Sequence, residues 1–267
     1  KFIKKLLKKN NTNFVPLDSE HFSIWSLIKS ENIDNIKKVY LTASGGPFLN
    51  KKLKDIKYIK PKYALRHPNW KMGKKITIDS ATMMNKIFEV IEAKKIFNIE
   101  SKKLDIIIHP KSHIHAVVHF KNGLTKFLAH DTTMEIPILN SLYKKNEKFT
   151  FNNKNFNYSY FNGINFLKPD TKVFPLLKIL DYDYNDTYFD IILVCLNDEL
   201  VNLYLKNLIN YISIHKLLIK LLKKQYFSSY YDKSPKNIND IENMVNNVKK
   251  YLHNYLKLNE KSYKNSN

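Results

Sequence analysis

The segment KITIDSATMMNKIFE, residues 75–89, holds the side chains most suited to chemistry. Its β-branched start reads as a short strand ending in Asp79 and Ser80, a helix N-cap pair. A helix is expected from about Ala81 to Asn98, with Glu92 and Lys95 facing solvent. Asn85 and Glu89 are four residues apart and share one face of it. Ser80 would stand where free backbone N–H groups meet an anion. Lys86 adds a positive charge and Glu89 a hard oxygen ligand. Together these residues suit a phosphate at one end and a divalent metal at the other.

Four other segments carry weaker signals, each with a plain alternative. Asp18 and Glu20 lie two apart after FVPL, residues 14–17, read as a short strand. On a strand end both carboxylates point the same way and could grip Mg²⁺ or Mn²⁺; the alternative is a polar turn with a helix N-cap. The turn SGGP, residues 44–47, would let backbone N–H groups approach a phosphate, or be an ordinary turn. RHPNWKMG, residues 66–73, is either a mobile lid carrying Trp70 or a surface loop anchored by it. His67 could reach a phosphate or a hydroxyl. His113 and His115 would share a strand face, but no cysteine or nearby acid completes a zinc site, and half-exposed histidines are the better reading.

The elements that must position these residues alternate. A helix is expected over 22–30 and strands over 39–43, 104–108 and 113–120, with the hairpin pair Asn122–Gly123 after the last. Pro137 starts a further helical turn. This predicts a mixed-sheet α/β (α+β) domain. Residues 144–175 are rich in Asn, Lys, Tyr and Phe and read as a surface-wrapping linker with edge strands. From Pro175, leucines and isoleucines recur at helical spacing, which predicts a C-terminal helical bundle with a frayed end over 259–267.

Composition narrows the classes. The net charge is +21, yet Arg66 is the one arginine among 45 basic residues. Nucleic-acid readers lean on arginine forks, so a nucleic-acid partner is not expected. The abundance of Lys, Asn, Ile, Tyr and Phe with five glycines matches an A/T-rich coding bias. Cys195 is the single cysteine, which excludes an internal disulfide and a cysteine-built zinc site. No apolar run spans a bilayer and no signal-peptide pattern opens the chain, so no membrane partner is expected.

Taken in order, PLDSEH (16–21), LTASGGPF (41–48), RHPNWKMG (66–73), IDSATMMNK (78–86), Glu89, IEA (91–93) and HPKSHIH (109–115) resemble 1-deoxy-D-xylulose 5-phosphate reductoisomerases of the non-mevalonate isoprenoid pathway. The match runs from about Val15 to Tyr143 and is thin beyond. The resemblance implies a metal, Mn²⁺ or Mg²⁺, on Asp18, Glu20 and Glu89. It implies a phosphorylated sugar held by Ser19, Glu20, Ser44, His67, Ser80, Asn85, Lys86 and Glu89, with Glu20, Lys86 and Glu89 catalytic. Trp70 and Met72 would form the flap, Gly73 would lie beside the nicotinamide of NADPH, and Ser112 and His115 would support the site. The implied reaction is the rearrangement of 1-deoxy-D-xylulose 5-phosphate and its reduction to 2-C-methyl-D-erythritol 4-phosphate. A homodimer in the cytoplasm of a bacterium, or in a plastid, is implied as well.

The chain also departs from that family. No Gly-rich Rossmann loop is present, so residues 1–13 are expected to be the end of a missing N-terminal domain. Residues 14–143 would be the catalytic domain, 144–175 the linker and 176–267 the helical domain. A fragment of a longer protein is the simpler account; a truncated, non-catalytic remnant that binds phosphorylated ligands or a partner chain is the alternative. Ile87 replaces a usual glycine and is expected to crowd the site. TTME, residues 132–135, replaces a usual Pro-Asp-Met-Arg, which reverses a charge at Glu135.

Overall fold

The computed structural model describes residues 2–143, 158–182 and 184–258. A four-stranded mixed sheet organises the first half, in the order β2-β1-β3-β4. β1 is Ile36–Ala43, β2 Leu104–Ile108, β3 Ile114–Phe120 and β4 Thr125–Ala129. β1 and β2 are parallel, so a long crossover joins them; β3 runs antiparallel to β1 and forms a hairpin with β4. Val39, Leu41, Ile106, Ala116 and Val118 close the sheet's core.

Helix α1 (Phe2–Lys9) buries no side chain, and α2 (Ser19–Ile28) packs against β3 and β4. The crossover carries α3 (Leu53–Ile56), α4 (Pro61–Ala64), α5 (Lys74–Thr82) and α6 (Met84–Phe97). α6 packs against β1 and β2 and also touches α2. After the sheet comes α7 (Glu135–Leu142), which begins two residues before Pro137, the expected start of this helical turn.

The second half is helical: α8 (Tyr188–Leu205), α9 (Tyr211–Leu222), α10 (Gln225–Ser228) and α11 (Ile238–Leu258). Thr187 caps α8 by accepting from the Phe189 N–H. α8 is the central element and contacts α5, α9, α10 and α11. Ile192, Leu196, Leu200 and Val201 are fully buried along it, each stabilising the fold by about 1.5–3 kcal/mol.

Two expected strands are absent. Residues 14–17 form no ladder: Pro16 has no N–H to give, and Phe14 and Leu17 are exposed. Residues 75–78 are helical despite their β-branching. Ile78 is wholly buried and the Thr77 hydroxyl donates to the Gly73 carbonyl, so packing overrides propensity. The break comes later, at Met83, whose φ of 64° separates α5 from α6. Asp79 and Ser80 therefore lie in the last turn of one helix, not at the cap of the next. Lys95 is half-buried and pairs with Asp190, whereas Glu92 is exposed as expected.

Of the expected linker, 144–157 lie outside the described residues. Its remainder has one short 3₁₀ turn, Tyr158–Phe161, and a bridge in which Leu167 pairs with Ile108 at the β2 edge. The expected frayed end, 259–267, is likewise outside them. Among the described residues no helix is long and apolar enough to cross a membrane.

Candidate active site

One cleft gathers Asp18, Ser19, Glu20, Ser44, His67, Trp70, Met72, Ser80, Asn85, Lys86 and Glu89. Of the predicted site residues only Gly73 is outside its lining. Thr42, Ala43, Gly45, Lys71, Ile76, Met83, Ser112, His115 and Met134 complete the wall.

The carboxylates come from two helices. Asp18 is the N-cap of α2 and accepts from the His21 N–H at 3.2 Å. Glu20 is thus in a helix's first turn rather than at a strand end. Glu89 projects from α6. One oxygen of each of Asp18, Glu20 and Glu89 lies within 4.8 Å of the others, and among the described residues no other group of three could hold a metal. Three hard oxygen donors from rigid helices suit Mg²⁺ or Mn²⁺.

Lys86 sits between two of these acids, with Nζ 2.6 Å from Glu20 Oε1 and 2.5 Å from Glu89 Oε2. Asn85 donates to the other Glu89 oxygen at 2.5 Å, and Ser19 donates to Glu20 Oε2. The charges split the two glutamates. Burial opposes the Glu20 charge, but Lys86 and then His115 outweigh it and hold Glu20 at about 2. Burial, then the Glu20 charge, push Glu89 well above the ordinary carboxylate range. Lys86 loses water too, but the two glutamates raise its affinity for the proton, so it stays charged.

His21 was not singled out by residue type, yet it ties the two helices together. Its ring is buried, with Nε2 2.9 Å from the Glu89 carbonyl and Nδ1 3.4 Å from Asp18 Oδ1. Its place next to Glu20 in the DSEH run was the available signal.

The other end of the cleft is neutral and rich in donors. His67 Nδ1 accepts from the backbone N–H groups of Asn69 at 3.2 Å and Trp70 at 2.9 Å. Its proton is therefore on Nε2, which lies 3.1 Å from both Ser44 Oγ and Ser80 Oγ. Burial, then the Lys86 charge, lower His67 to about 4. Gly45 (φ 86°) and Gly46 (φ 64°) turn the chain after Ser44. A Cβ on Gly46 would come within 3.0 Å of the Ser80 carbonyl, so only glycine lets the two serines stand together.

Asn69 fixes the Trp70 segment by donating to the Pro110 carbonyl at 2.8 Å and to Ser112 Oγ at 2.7 Å. Trp70 meets the His115 ring edge-on at 6.1 Å. Two expectations fail here. Ile87 does not crowd the cleft; its side chain is wholly buried in the core and absent from the lining. His113 precedes β3 instead of sharing its face, and only His115 enters the cleft wall. Glu135 is exposed on α7 and does not line the cleft.

The family model for the 1-deoxy-D-xylulose 5-phosphate reductoisomerase C-terminal domain matches residues 14–97, and that for the DXP reductoisomerase C-terminal domain matches 130–251. A 1-deoxy-D-xylulose 5-phosphate reductoisomerase of Pelagibacter ubique is 53% identical over 243 residues, covering 91% of this chain and 62% of the relative. One from a Sulfurihydrogenibium species is 40% identical, covering 82% and 59%. A crystal structure of DOX-P reductoisomerase with NADPH, fosmidomycin and magnesium superposes with a TM-score of 0.89 at 30% identity, covering 97% of this chain and 67% of that one. The chain belongs to the 1-deoxy-D-xylulose 5-phosphate reductoisomerase family. It spans about three fifths of the length of the two curated relatives. Its mixed sheet and helical second half are the reductoisomerase's catalytic and C-terminal parts, as the resemblance implied.

Proposed function

We propose that this chain carries the metal and sugar-phosphate site of a reductoisomerase that rearranges 1-deoxy-D-xylulose 5-phosphate and reduces the product with NADPH to 2-C-methyl-D-erythritol 4-phosphate. The observation that carries the reading is one cleft lined by both a three-carboxylate cluster and the Ser44–His67–Ser80 donor cluster.

Asp18, Glu20 and Glu89 would hold Mn²⁺ or Mg²⁺, and the donor set fits a hard cation. Bound there, the metal supplies Lewis-acid polarisation of the substrate's carbonyl and hydroxyl oxygens. Ser44, Ser80, His67 Nε2 and Asn85 donate to the phosphate. Lys86, held between Glu20 and Glu89, would supply positive charge beside the phosphate. Ser19 orients Glu20 and reaches the substrate. Trp70 and Met72 cover the cleft and exclude water. Remote phosphate contacts would orient the reacting carbons. Gly73 would face the nicotinamide; a Cβ there would meet nothing within 4 Å, which leaves an open backbone edge.

Residues 14–143 would act as the catalytic unit and 176–267 as its helical support, in a bacterial cytoplasm. A homodimer belongs to the same reading. The edge strand β4, with Phe127 47% exposed, supports it, and sedimentation velocity tests it.

Calorimetry tests the site. The chain should bind Mn²⁺, then bind the sugar phosphate more tightly with the metal present. Failure of the wild-type chain to bind either would sink the reading.

A further inference from the structure

Ser80 stands between two residues that the C-terminal helices hold. On one side, Asn197 of α8 donates from Nδ2 to Asp79 Oδ1 at 2.8 Å. On the other, the Tyr211 hydroxyl of α9 donates to the Ala81 carbonyl at 2.7 Å. Asn197 and Tyr211 are both buried. The carbonyls of the last helical turn have no partner within their own helix, and Tyr211 supplies one for Ala81. Asp79 Oδ2 lies 2.8 Å from Lys75 Nζ, which also reaches Asp198 on α8 at 2.7 Å.

The α5 turn bearing Ser80 is thus pinned from the bundle side, while Gly46 packs so close to it that a Cβ there would lie 3.0 Å from the Ser80 carbonyl. Its continuation is broken at Met83, so α6 does not fix it through a continuous helix. The carboxylates are held differently: Lys86 and His21 tie Glu20 and Asp18 to Glu89 across α2 and α6, without a bundle residue.

We infer that Asn197 and Tyr211 are positioning residues for the anion end of the cleft, setting Ser80 Oγ within reach of His67 Nε2. This rests on the reading of Ser44, His67 and Ser80 as the phosphate site. The C-terminal helices then govern phosphate affinity separately from metal affinity.

The test is calorimetry of the full chain with inorganic phosphate and with Mn²⁺, well below the unfolding transition. Tyr211→Phe and Asn197→Ala should each weaken phosphate binding by about tenfold, the equivalent of one net hydrogen bond. Mn²⁺ affinity should stay within about twofold, because no metal ligand has moved. A role confined to packing would lower Tm and leave phosphate affinity unchanged, which would overturn the inference. Parallel loss of phosphate and Mn²⁺ binding would overturn it as well, since it would report general collapse. If Asn197→Ala does not fold, Tyr211→Phe, which deletes one oxygen, decides. Absence of phosphate binding by the wild-type chain would overturn the phosphate reading and this inference with it.

Discussion

The Trp70 backbone N–H donates to His67 Nδ1 at 2.9 Å, which ties the Trp70 loop to the histidine that faces Ser44 and Ser80. The bond also fixes the tautomer: with Nδ1 an acceptor, the proton must sit on Nε2 and face Ser44 and Ser80. Burial, then Lys86, keep the ring neutral down to about pH 4. Nitrogen-15 spectra of the ligand-free chain should show a neutral Nε2–H imidazole at pH 7. An imidazolium, or the Nδ1–H tautomer, would contradict this geometry.

Glu89→Gln replaces one of the three clustered carboxylates with a neutral amide. Mn²⁺ affinity should fall by at least about 100-fold, more than the loss of an outer-shell partner causes. Burial and the Glu20 charge raise the proton affinity of Glu89 above the usual carboxylate range. A cation favours the deprotonated carboxylate, so Mn²⁺ affinity should strengthen as pH rises. Calorimetry across pH measures the trend. An affinity independent of pH would contradict the raised proton affinity of Glu89.

Lys86 neutralises two buried glutamates in the metal-free chain. Lys86→Met should destabilise it by about 3–5 kcal/mol, because both acids lose their cation. Mn²⁺ should then raise the Tm of the variant more than that of the wild type. Equal shifts in both proteins would show that Lys86 does not hold the acids in place of the metal.

His215 gives the acid limb of stability a definite sign. Burial in α9 lowers it from 6.5 to about 4, with Nδ1 3.3 Å from the Tyr211 carbonyl. Between those values the unfolded chain binds a proton that the folded chain refuses. Stability is therefore complete above pH 6.5 and falls as pH drops towards 4, by up to about 1.4 kcal/mol per pH unit for this group. His67 and His115, also lowered to about 4, add in the same direction. Urea unfolding at pH 7 and pH 5 should show a shallower loss for His215→Phe than for the wild type. Equal losses would remove His215 from the account.

The residues of the site were legible because their chemistry is local and ordered along the chain. The Asn–Lys–Glu spacing at 85–89 and Ser80 can be read by type and interval, while the acid pair at 18 and 20, Ser44 and His67 gained a role through the ordered family motifs that contain them. The helical second half was equally plain, since leucine and isoleucine repeat there at the period of a helix. What the chain order could not supply was the local form that carries those groups. Residues 75–78 look like a strand by propensity but are helical, because Ile78 is buried against the core and packing outweighs a preference of well under 1 kcal/mol.

Nor could spacing join residues far apart in sequence. Asn197 meets Asp79 across 118 positions, Tyr211 meets Ala81 across 130, and Lys86 meets Glu20 across 66. The sequence by itself determined which groups could bind a metal and an anion. Tertiary structure alone decided that they share one cleft, that burial and Lys86 drive the proton affinities of the two glutamates in opposite directions, and that the bundle grips the turn bearing Ser80. Each of those depends on burial and on charges only a few ångströms apart, which no one-dimensional pattern records.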